Sequence, residues 1–289
     1  MLAIIGSTAS GKSALAFYLA SKYKLDIFSI DSLSIYKYID IASAKPSKAE
    51  LSQIKHYGID VLNPDEKCNA KLFFDLLNSL SKKRLIIVGG SSFYLKSIID
   101  GLSKIPQQNK EISKYVESLN KYEAYQLLAK IDENYASKIH KNDTYRIAKG
   151  LEIYLLTGKS PSAFFMENKK EKLNIEIKIF ELIKPKEILI KDIESRTKAM
   201  YENGLIDEVQ NLISSYPNSQ TLKAIGIKEI ISFLDSKITK EQSKELIIKN
   251  TIQLAKRQRT FNRTQFCDIF RGDFVEVKKA IEESMDKNI

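Results

Sequence analysis

The sequence predicts an α/β fold, in which a parallel sheet carries flanking helices and a helical insert interrupts the chain. Three observations predict it. Short apolar runs of strand length alternate with helical patterns in the first third of the chain. A glycine-rich loop follows the first of these runs, and residues 105–167 are polar and helical in pattern, without a run typical of a buried strand. Alternation of this kind indicates crossover connections between parallel strands.

The strands are predicted from continuous apolar runs, which are typical of strands buried on both faces of a sheet. These runs are LAII, LDIFSID, RLIIVGG and, at 175–183, IEIKIFELI, while CDIF is a candidate closing strand. Helices are predicted at KSALAFYLASKY, within 70–82, at SSFYLKSIIDGL, over most of the chain from Pro185 to about Phe266, and from Val275 onward. We therefore assign residues 1–104 and 168–289 to a catalytic core and residues 105–167 to the insert.

The bulk composition, with 43% hydrophobic and 28% charged residues among 289, is that of an ordinary soluble protein. The formal net charge of +10 favours a polyanionic partner, with nucleic acid the first candidate, although a lysine-rich surface from an AT-rich coding bias explains it equally well. No apolar run approaches the roughly 20 residues of a membrane span. The chain opens on MLAII without a basic leader region, so we expect a cytoplasmic protein.

The cysteines and histidines argue against several kinds of site. Cys68 and Cys267 are far apart and form no Cys-x-x-Cys pair, which argues against a disulfide framework and against a zinc site. The two histidines, His56 and His140, are too few for a His-rich metal centre. We interpret His56 as a structural hydrogen-bonding residue. No sequence feature indicates an oligomer, so we expect a monomer without an obligate protein partner.

The string GSTASGKS matches the phosphate-binding pattern G-x-x-x-x-G-K-[ST] without a mismatch, and it lies between a predicted strand and a predicted helix. Such a loop turns backbone N–H groups toward an anion, and the helix N-terminus adds partial positive charge. Lys12 is expected to reach the terminal phosphate oxygens, and Ser13 to hold Mg²⁺. The fold class is therefore a P-loop NTPase-like parallel sheet, and the predicted phosphate-binding residues are Gly6, Ser7, Thr8, Ala9, Ser10, Gly11, Lys12 and Ser13.

Asp31 follows the one apolar strand that ends in an acid, IFSID. It is expected at the C-terminal edge of the sheet, where ligands bind in folds of this class. An NTP hydrolase usually has a second apolar strand ending in an acidic Mg²⁺ ligand, but LIIVGG ends in glycines. Asp31 is therefore a candidate metal ligand or general base beside the phosphates, with a turn or capping role as the alternative.

In these residues and in others along its length, the chain resembles the bacterial tRNA dimethylallyltransferases, also called tRNA isopentenyltransferases. The D-S-x-x-x-Y stretch followed by A-K-P, and the L-A-K-R-Q tract, are highly specific. The matching segments occur in order over nearly the whole chain: GSTASGKSALA, DSLSIYKYIDIASAKP, HYGIDVLNPDE, VGGSSFYLKSIIDGLS, NDTYRIAKGLEIYLLTGKSPS, RTKAMYENGLIDEV, AIGIKEI and QLAKRQRTFNR.

The resemblance implies a reaction. The bound phosphates are then the diphosphate of dimethylallyl diphosphate, and the enzyme moves the allyl group onto N6 of the adenosine 3′-adjacent to the anticodon in tRNA. The products are N6-isopentenyladenosine and diphosphate. The insert is then the part that contacts the tRNA anticodon stem-loop.

The resemblance also implies catalytic roles for Asp31, Ser91 and Arg196. Asp31 takes the proton of the adenine amine, a poor nucleophile because its lone pair is delocalised. Arg196 shares with Lys12 and Mg²⁺ the stabilisation of the departing diphosphate. Ser91, where the family usually has threonine, aligns the diphosphate and the base. From the residues alone, Arg196 is equally a solvated helix charge and Ser91 a helix N-cap.

The tract LAKRQRTFNR at 254–263 is the strongest candidate for a nucleic-acid surface. At 100° per residue, Ile247, Leu254 and Phe261 share one stripe of the helix, and Lys256, Arg259 and Arg263 lie opposite. A solvated charged face is the usual explanation, but no aspartate or glutamate occurs from Leu246 to Arg263 to pair with these cations. Contact with RNA phosphates or bases is therefore favoured.

In the insert, NDTYRIAKG offers an aromatic ring and two cations, which suits an unpaired loop whose bases stack on rings or guanidinium planes. A helix start capped by Asn142 or Asp143 is the plainer interpretation, compatible with the first. The reacting base must leave its stack to enter an enclosed site. The full set of predicted tRNA contacts is Asp31, Ser32, Leu33, Ser34, Tyr145, Arg146, Ile147, Ala148, Lys149, Lys223, Lys228, Lys256, Arg257, Gln258, Arg259 and Arg263.

Besides Ser91, four residues depart from the family's pattern. Ser7 replaces the usual proline and adds a backbone N–H, while Ala42 and Ser43 stand where glycine and threonine are common. Ser113 falls where an RNA-contacting arginine is often found, which puts one contact of the insert in doubt. The chain also lacks the C-terminal zinc finger of eukaryotic relatives.

Three other functions compete with this interpretation. A P-loop kinase acting on a small molecule has no use for the basic helix. Isopentenyl transfer to free AMP or ADP predicts indifference to RNA. A non-catalytic RNA-binding module leaves the intact P-loop and Asp31 unexplained.

Overall fold

The computed structural model describes residues 1–107 and 109–286. These form two compact units. One comprises Met1–Ile99 and the chain from Leu173 onward, and the other comprises Asp100–Lys172. Leu102 and Glu171 form an antiparallel bridge between the first and last segments of the second unit, with N–H···O distances of 2.9 and 2.8 Å.

The first unit contains a six-stranded sheet, in which every strand pair is parallel over the described residues. The strands are β1 (Leu2–Gly6), β2 (Asp26–Ser29), β3 (His56–Tyr57), β4 (Leu85–Gly89), β5 (Lys178–Leu182) and β6 (Phe270–Gly272), and their order is β3-β2-β4-β1-β5-β6. The predicted α/β class with a parallel sheet is confirmed. The two-residue strand β3 was not predicted, because it carries no apolar run.

The described residues form fourteen α-helices. They are α1 (Lys12–Tyr23), α2 (Lys48–Gln53), α3 (Ala70–Ser79), α4 (Ser92–Asp100), α5 (Lys110–Ser118), α6 (Lys121–Ile131), α7 (Glu133–Ala136), α8 (Thr144–Thr157), α9 (Pro161–Glu167), α10 (Lys186–Glu202), α11 (Leu205–Ser215), α12 (Ile227–Leu234), α13 (Lys240–Gln265) and α14 (Phe274–Asp286). The helical pattern beyond Pro185 breaks at Gly204, whose φ of 94° is accessible to glycine and ends α10.

The sheet is buried on both faces, which explains why its central strands are continuously apolar. All five residues of β1 and of β4 are buried. Leu15 and Leu19 of α1 and Val277 and Ile281 of α14 join them in one core cluster, each fully buried. Each such side chain contributes about 1.5–3 kcal/mol by leaving water. This packing holds β1 rigid, and the P-loop follows β1 directly.

The second unit has an apolar core of its own. Leu128, Ile147 and Leu151 are at its centre, and Val116 and Ala136 pack around them. Asp143 caps α8 by accepting a hydrogen bond from the backbone N–H of Arg146 at 3.0 Å. The capping alternative considered for this segment is therefore correct, and it fixes the start of the helix that carries Tyr145 and Lys149.

Helix α13 is held to the sheet by buried polar contacts. Asn262 is fully buried, and its Nδ2 donates to Oε1 of Glu181 in β5 at 2.8 Å. Oε2 of Glu181 accepts from Nε of Arg271 at 2.8 Å. Because a lone buried carboxylate is costly, these two donors make Glu181 tolerable inside the protein. They also fix the rotation of α13 about its axis.

Candidate active site

A cavity of about 980 Å³ opens at the carboxyl ends of β1, β2 and β4. Loops that leave parallel strands at this edge converge on a crevice, which is where α/β proteins bind ligands. The P-loop residues Thr8, Lys12 and Ser13 line it together with Asp31 and Ser91. Helices α10 and α13 contribute Arg196, Arg257 and other residues.

The P-loop leaves the first amides of α1 free for an anion. Gly11 is the N-cap residue of α1 with φ 94°, and it has no side chain to bond those amides. The helix dipole therefore faces the cavity without a protein capping group. Lys184 supports the loop from outside the motif, since its Nζ donates to the Ala9 carbonyl at 3.1 Å and pairs with Asp192 at 2.5 Å.

Lys12 is in place to meet a phosphate. Its Nζ lies 3.1 Å from the Ser7 carbonyl oxygen, to which it donates. Burial lowers the pKa of Lys12 from 10.5 to about 8, the nearby Asp31 carboxylate opposes this effect, and Arg196 adds to it. A negative partner beside Lys12 therefore stabilises its charged form.

Arg196 points at the P-loop from α10. Its Nη1 donates to the Thr8 hydroxyl oxygen at 3.1 Å, across 188 positions of sequence. Burial lowers its pKa, while the Asp31 carboxylate works in the opposite direction. Arg196 therefore lines the cavity beside the P-loop, whereas a fully solvated helix charge would point away from it.

Asp31 uses its two carboxylate oxygens differently. Oδ1 accepts from the backbone N–H groups of Leu33 and Ser34 at 2.9 and 3.2 Å, which is a turn-stabilising role. Among the residues that the structure describes, none donates to Oδ2. The two interpretations of Asp31 are thus compatible, because one oxygen holds the turn and the other is available to a ligand.

Ser91 connects the ends of β2 and β4. Its Oγ accepts from the backbone N–H of Ser32 at 3.1 Å, and its own N–H faces the Ile30 carbonyl at 3.4 Å. No residue that the structure describes accepts from the Ser91 hydroxyl, so its proton is available to a ligand. Gly89 permits this close approach, since a Cβ there would collide with the Ile30 carbonyl.

The wall formed by the DIASAKP segment is held by two residues whose roles were not predicted. Lys45 has a 3% exposed side chain, and its Nζ bonds the Tyr36 carbonyl at 2.7 Å and pairs with Asp40 and Asp60 at 2.6 Å each. Glu208 of α11 accepts three consecutive backbone N–H groups, at residues 40–42, at 2.7, 2.7 and 2.9 Å. Both residues lie in segments that match the family, but nothing in those segments predicted that their side chains hold this wall.

Two of the departures from the family pattern, Ala42 and Ser43, belong to this wall, and a third, Ser7, belongs to the P-loop. Ala42 is 6% exposed and packs near Gly226. The Ser43 hydroxyl donates to the Ile39 carbonyl at 2.5 Å. Ser7 is buried in the P-loop. His56 lines the cavity, with its Nδ1 2.8 Å from the Ile54 carbonyl.

The predicted nucleic-acid residues of the first unit divide between cavity and surface. Ser32, Leu33, Ser34, Lys223, Arg257 and Gln258 line the cavity. Lys228 is exposed and lies 3.5 Å from Glu229. On α13, Ile247 is buried, whereas Lys256, Arg259 and Arg263 are exposed and form no ion pair with any described residue. The basic face therefore has no internal charge to neutralise it.

In the second unit, α8 places a tyrosine and two cations side by side. Tyr145 is 71% exposed, and the Lys149 ammonium lies 6.0 Å from its ring centroid. Lys149 also pairs with the buried Glu152 at 2.6 Å, and Glu152 accepts from Ser113 at 3.1 Å. Ile147 is 2% exposed and Ala148 is half-buried, so these two direct their side chains inward.

The comparisons with known proteins agree with this geometry. The family model described as IPP transferase matches residues 34–265. The chain belongs to the IPP transferase family. The tRNA dimethylallyltransferase of Helicobacter pylori strain J99 is 48% identical, over 97% of this chain and 92% of its own length. That of Nautilia profundicola is also 48% identical, over 97% of this chain and 98% of its own.

Solved structures of the family have the same fold. The full-length tRNA isopentenylpyrophosphate transferase of Bacillus halodurans superposes with a TM-score of 0.71 and is 29% identical, over 99% of this chain and 95% of its own. A eukaryotic dimethylallyltransferase acting on tRNA gives a TM-score of 0.83 at 28% identity, over 94% of this chain and 73% of its own. The family resemblance inferred from the motifs is confirmed.

Two properties follow from the described part of this family member. No group of three or more His, Cys, Asp or Glu side chains within residues 1–107 and 109–286 is arranged to hold a metal ion. None of its described helices has the length and apolar character needed to span a membrane.

Proposed function

We propose that this chain transfers a dimethylallyl group from dimethylallyl diphosphate to N6 of the adenosine 3′-adjacent to the anticodon in tRNA. The observation that carries the proposal is the arrangement of one cavity. A phosphate-binding loop with Lys12 and Arg196 faces a carboxylate, Asp31, that has one free oxygen. Transfer of an allyl group from a diphosphate to an amine needs both a site that binds the leaving diphosphate and a base that accepts the proton of the amine.

The reaction breaks the C–O bond between the allyl carbon and the diphosphate and forms a bond from that carbon to adenine N6. Asp31 accepts the proton that N6 loses. Lys12, Arg196 and the free amides of α1 take up the negative charge that gathers on the departing diphosphate. The Ser91 hydroxyl donates a hydrogen bond within the cavity and so aligns the two substrates.

The P-loop residues fit a magnesium ion. Ser13 is exposed at the first turn of α1, beside the free amides, and the diphosphate supplies further oxygen ligands. Mg²⁺ is usually bound by one or two protein oxygens, phosphates and waters, so a carboxylate cluster is not required. When bound through Ser13, the ion neutralises charge on the leaving diphosphate. Lys12 and Arg196 act on the same group from the protein side.

The tRNA is held by the basic face of α13 and by the Tyr145, Arg146 and Lys149 patch of the insert. The exposed cations Lys256, Arg259 and Arg263 suit phosphates, and Tyr145 suits an unpaired base of the anticodon stem-loop. The target adenosine leaves its stack to reach Asp31, Ser32 and their neighbours. This role goes with a tRNA substrate, with the cytoplasm as the place of action and with a protein that works as a monomer.

The test offers labelled dimethylallyl diphosphate and Mg²⁺ to the purified protein with alternative acceptors. Label in tRNA is expected, and it should vanish when guanosine replaces the adenosine next to the anticodon. Label on AMP or ADP but not on tRNA would overturn the tRNA assignment. Consumption of ATP with phosphate transfer to a metabolite, and no allyl transfer, would instead show a kinase.

A further inference from the structure

Gln258, on the inner side of α13, makes two hydrogen bonds to backbone groups from the loops that follow two adjacent strands, β1 and β4. Its Oε1 accepts from the Thr8 N–H at 2.8 Å, and its Nε2 donates to the Gly90 carbonyl at 2.9 Å. Thr8 lies 250 positions away in sequence and Gly90 lies 168 away. A side-chain amide provides one acceptor and one donor on a short planar group. An ionised carboxylate provides only acceptors, and a cation provides only donors.

The space for this amide is made by glycine. A Cβ built on Gly90 would lie 2.7 Å from Nε2 of Gln258, too close for a real contact. The adjacent Gly89 makes room for the Ile30 carbonyl. Gly89, the last residue of β4, and Gly90, which follows it, therefore have separate purposes, and that of Gly90 is to admit Gln258.

The two bonded backbone groups lie beside the groups that do the chemistry. The Thr8 side chain accepts from Arg196, which faces the leaving diphosphate. Gly90 precedes Ser91, and the Ser91 hydroxyl holds the amide of Ser32. Gln258 thus joins the diphosphate side of the cavity to the nucleophile side.

We propose that Gln258 is a positioning residue, which fixes the distance between the phosphate-binding loop and the Gly90–Ser91 segment. The proposal rests on the proposed function and adds a residue to its machinery. It also assigns Gln258 a role other than the tRNA contact expected from the sequence, because both polar ends of its side chain are used within the protein. Its helix neighbours Arg257 and Arg259 remain available to RNA, so the helix that binds the acceptor also sets the geometry of the donor site.

Gln258→Met is the first variant to measure, since methionine has a similar length and bonds neither partner. Because misplacement by about 1 Å costs about 100-fold in rate, we expect kcat to fall about 10–100-fold and KM for dimethylallyl diphosphate to rise. The Kd for tRNA and the melting temperature should stay near those of the unchanged protein. Gln265→Met, on the exposed end of the same helix, is the matched control. Loss of tRNA affinity with kcat unchanged would overturn the proposal.

A double-mutant cycle tests the link itself. Gly90→Ala should reduce kcat by displacing the glutamine, and Gln258→Ala should reduce it by removing the bonds. In the Gln258→Ala background, Gly90→Ala should then have little further effect, because the two changes break one contact. Multiplicative losses in kcat would show that the contact is not shared. Gln258→Glu, which keeps only the bond from Thr8, should fall between methionine and the unchanged protein.

Failure of the proposed function is separable from failure of this inference. Equilibrium binding of inorganic diphosphate to the full chain requires no tRNA and no transfer. Gln258→Met is expected to weaken that binding several-fold, whereas Gln265→Met leaves it unchanged. Unaltered diphosphate affinity and unaltered kcat in Gln258→Met would together refute the positioning role, whichever acceptor the enzyme uses.

Discussion

Arg196 donates a hydrogen bond from Nη1 to the Thr8 hydroxyl at 3.1 Å, and so α10 is joined to the P-loop beside the cavity. The Arg196 side chain is half-buried, and its partial removal from water lowers its pKa. A buried cation without a full counter-charge is costly to keep. In the proposed reaction, contact with the diphosphate would offset that cost only when substrate is bound, and increasingly as the diphosphate departs.

Replacing Arg196 by methionine is therefore expected to reduce kcat by about 100–1000-fold, the range seen when one donor to a developing oxyanion is lost. The steady-state rate of label transfer to tRNA measures it. Thr8→Val is the matched control, since it removes the hydrogen bond and leaves the charge. A loss in Thr8→Val as large as in Arg196→Met would mean that the hydrogen bond matters more than the guanidinium charge.

Asp31→Asn separates the two roles of the carboxylate. Asparagine Oδ1 still accepts from the Leu33 and Ser34 amides, so the turn should persist. It cannot accept the proton of N6, so we expect turnover to fall about 100–10,000-fold while the Kd for tRNA stays close to normal. Asp31→Ala should lose turnover at least as severely and lower the melting temperature as well. Near-normal turnover in Asp31→Asn would remove the general-base role.

Charge reversal of Lys256, Arg259 and Arg263 tests the basic face of α13. Each lost phosphate contact reduces the salt dependence of log K by about 0.7–0.9, so the triple glutamate variant should bind tRNA more weakly and with a slope smaller by about 2–3. Filter binding across a range of salt concentrations measures both quantities. Reversal of three other exposed lysines, Lys48, Lys82 and Lys186, is the control for net charge. Equal effects in the two triple variants would show that the basic face of α13 acts only through the net charge of the protein.

The lowered pKa of Lys12 predicts that the affinity for diphosphate depends on pH. Its pKa in the free protein is lowered to about 8 by burial, so the ammonium loses its proton as the pH rises through that value. Affinity for diphosphate should be flat below about pH 7.5 and decline above pH 8, because binding must then include uptake of a proton. Isothermal titration at several pH values measures this. Lys12→Met should bind weakly and without that decline, and a decline that persists in the variant would assign it to another group.

Replacing Glu208 is expected to lower the stability of the protein, although Glu208 is not proposed to contact the substrates. Its carboxylate accepts the N–H groups of Asp40, Ile41 and Ala42. Glu208→Ala leaves these partly buried donors without their acceptor, which should lower the free energy of unfolding by about 1–3 kcal/mol. Urea denaturation measures it, and Asp207→Ala on the exposed side of the same turn is the control. Equal midpoints for the two variants would show that water replaces the carboxylate at no cost.

Local patterns were enough to predict the sheet and the phosphate loop. The apolar runs of β1, β2 and β4 and the contiguous GSTASGKS each have their signal within a few residues. Strand β3 was not predicted, because two residues are too few to show a periodic pattern of apolar side chains. The start of β5 at Lys178, inside a longer apolar run, was decided by its pairing with β1.

The family motifs pointed to Asp31, Ser91 and Arg196, but the sequence left each with a plainer structural interpretation. The structure turns Arg196 toward Thr8 and gives Asp31 one oxygen in a turn and one without a donor among the described residues. For Ser91, it shows a hydroxyl that accepts from Ser32. These orientations depend on how strands and helices pack, which a spacing of residues along one chain does not encode.

By itself, the sequence determined the fold class, the phosphate-binding loop and membership of a family, since these are written in contiguous or periodic patterns. Only the tertiary structure decided that Glu208, Lys45 and Gln258 hold the walls of the cavity. Glu208 and Gln258 bond backbone groups 167 and 250 positions away, and Lys45 bonds the Tyr36 carbonyl nine positions away. Backbone N–H and C=O groups are the same in every residue but proline, so no letter of the sequence marks which of them a distant side chain will meet.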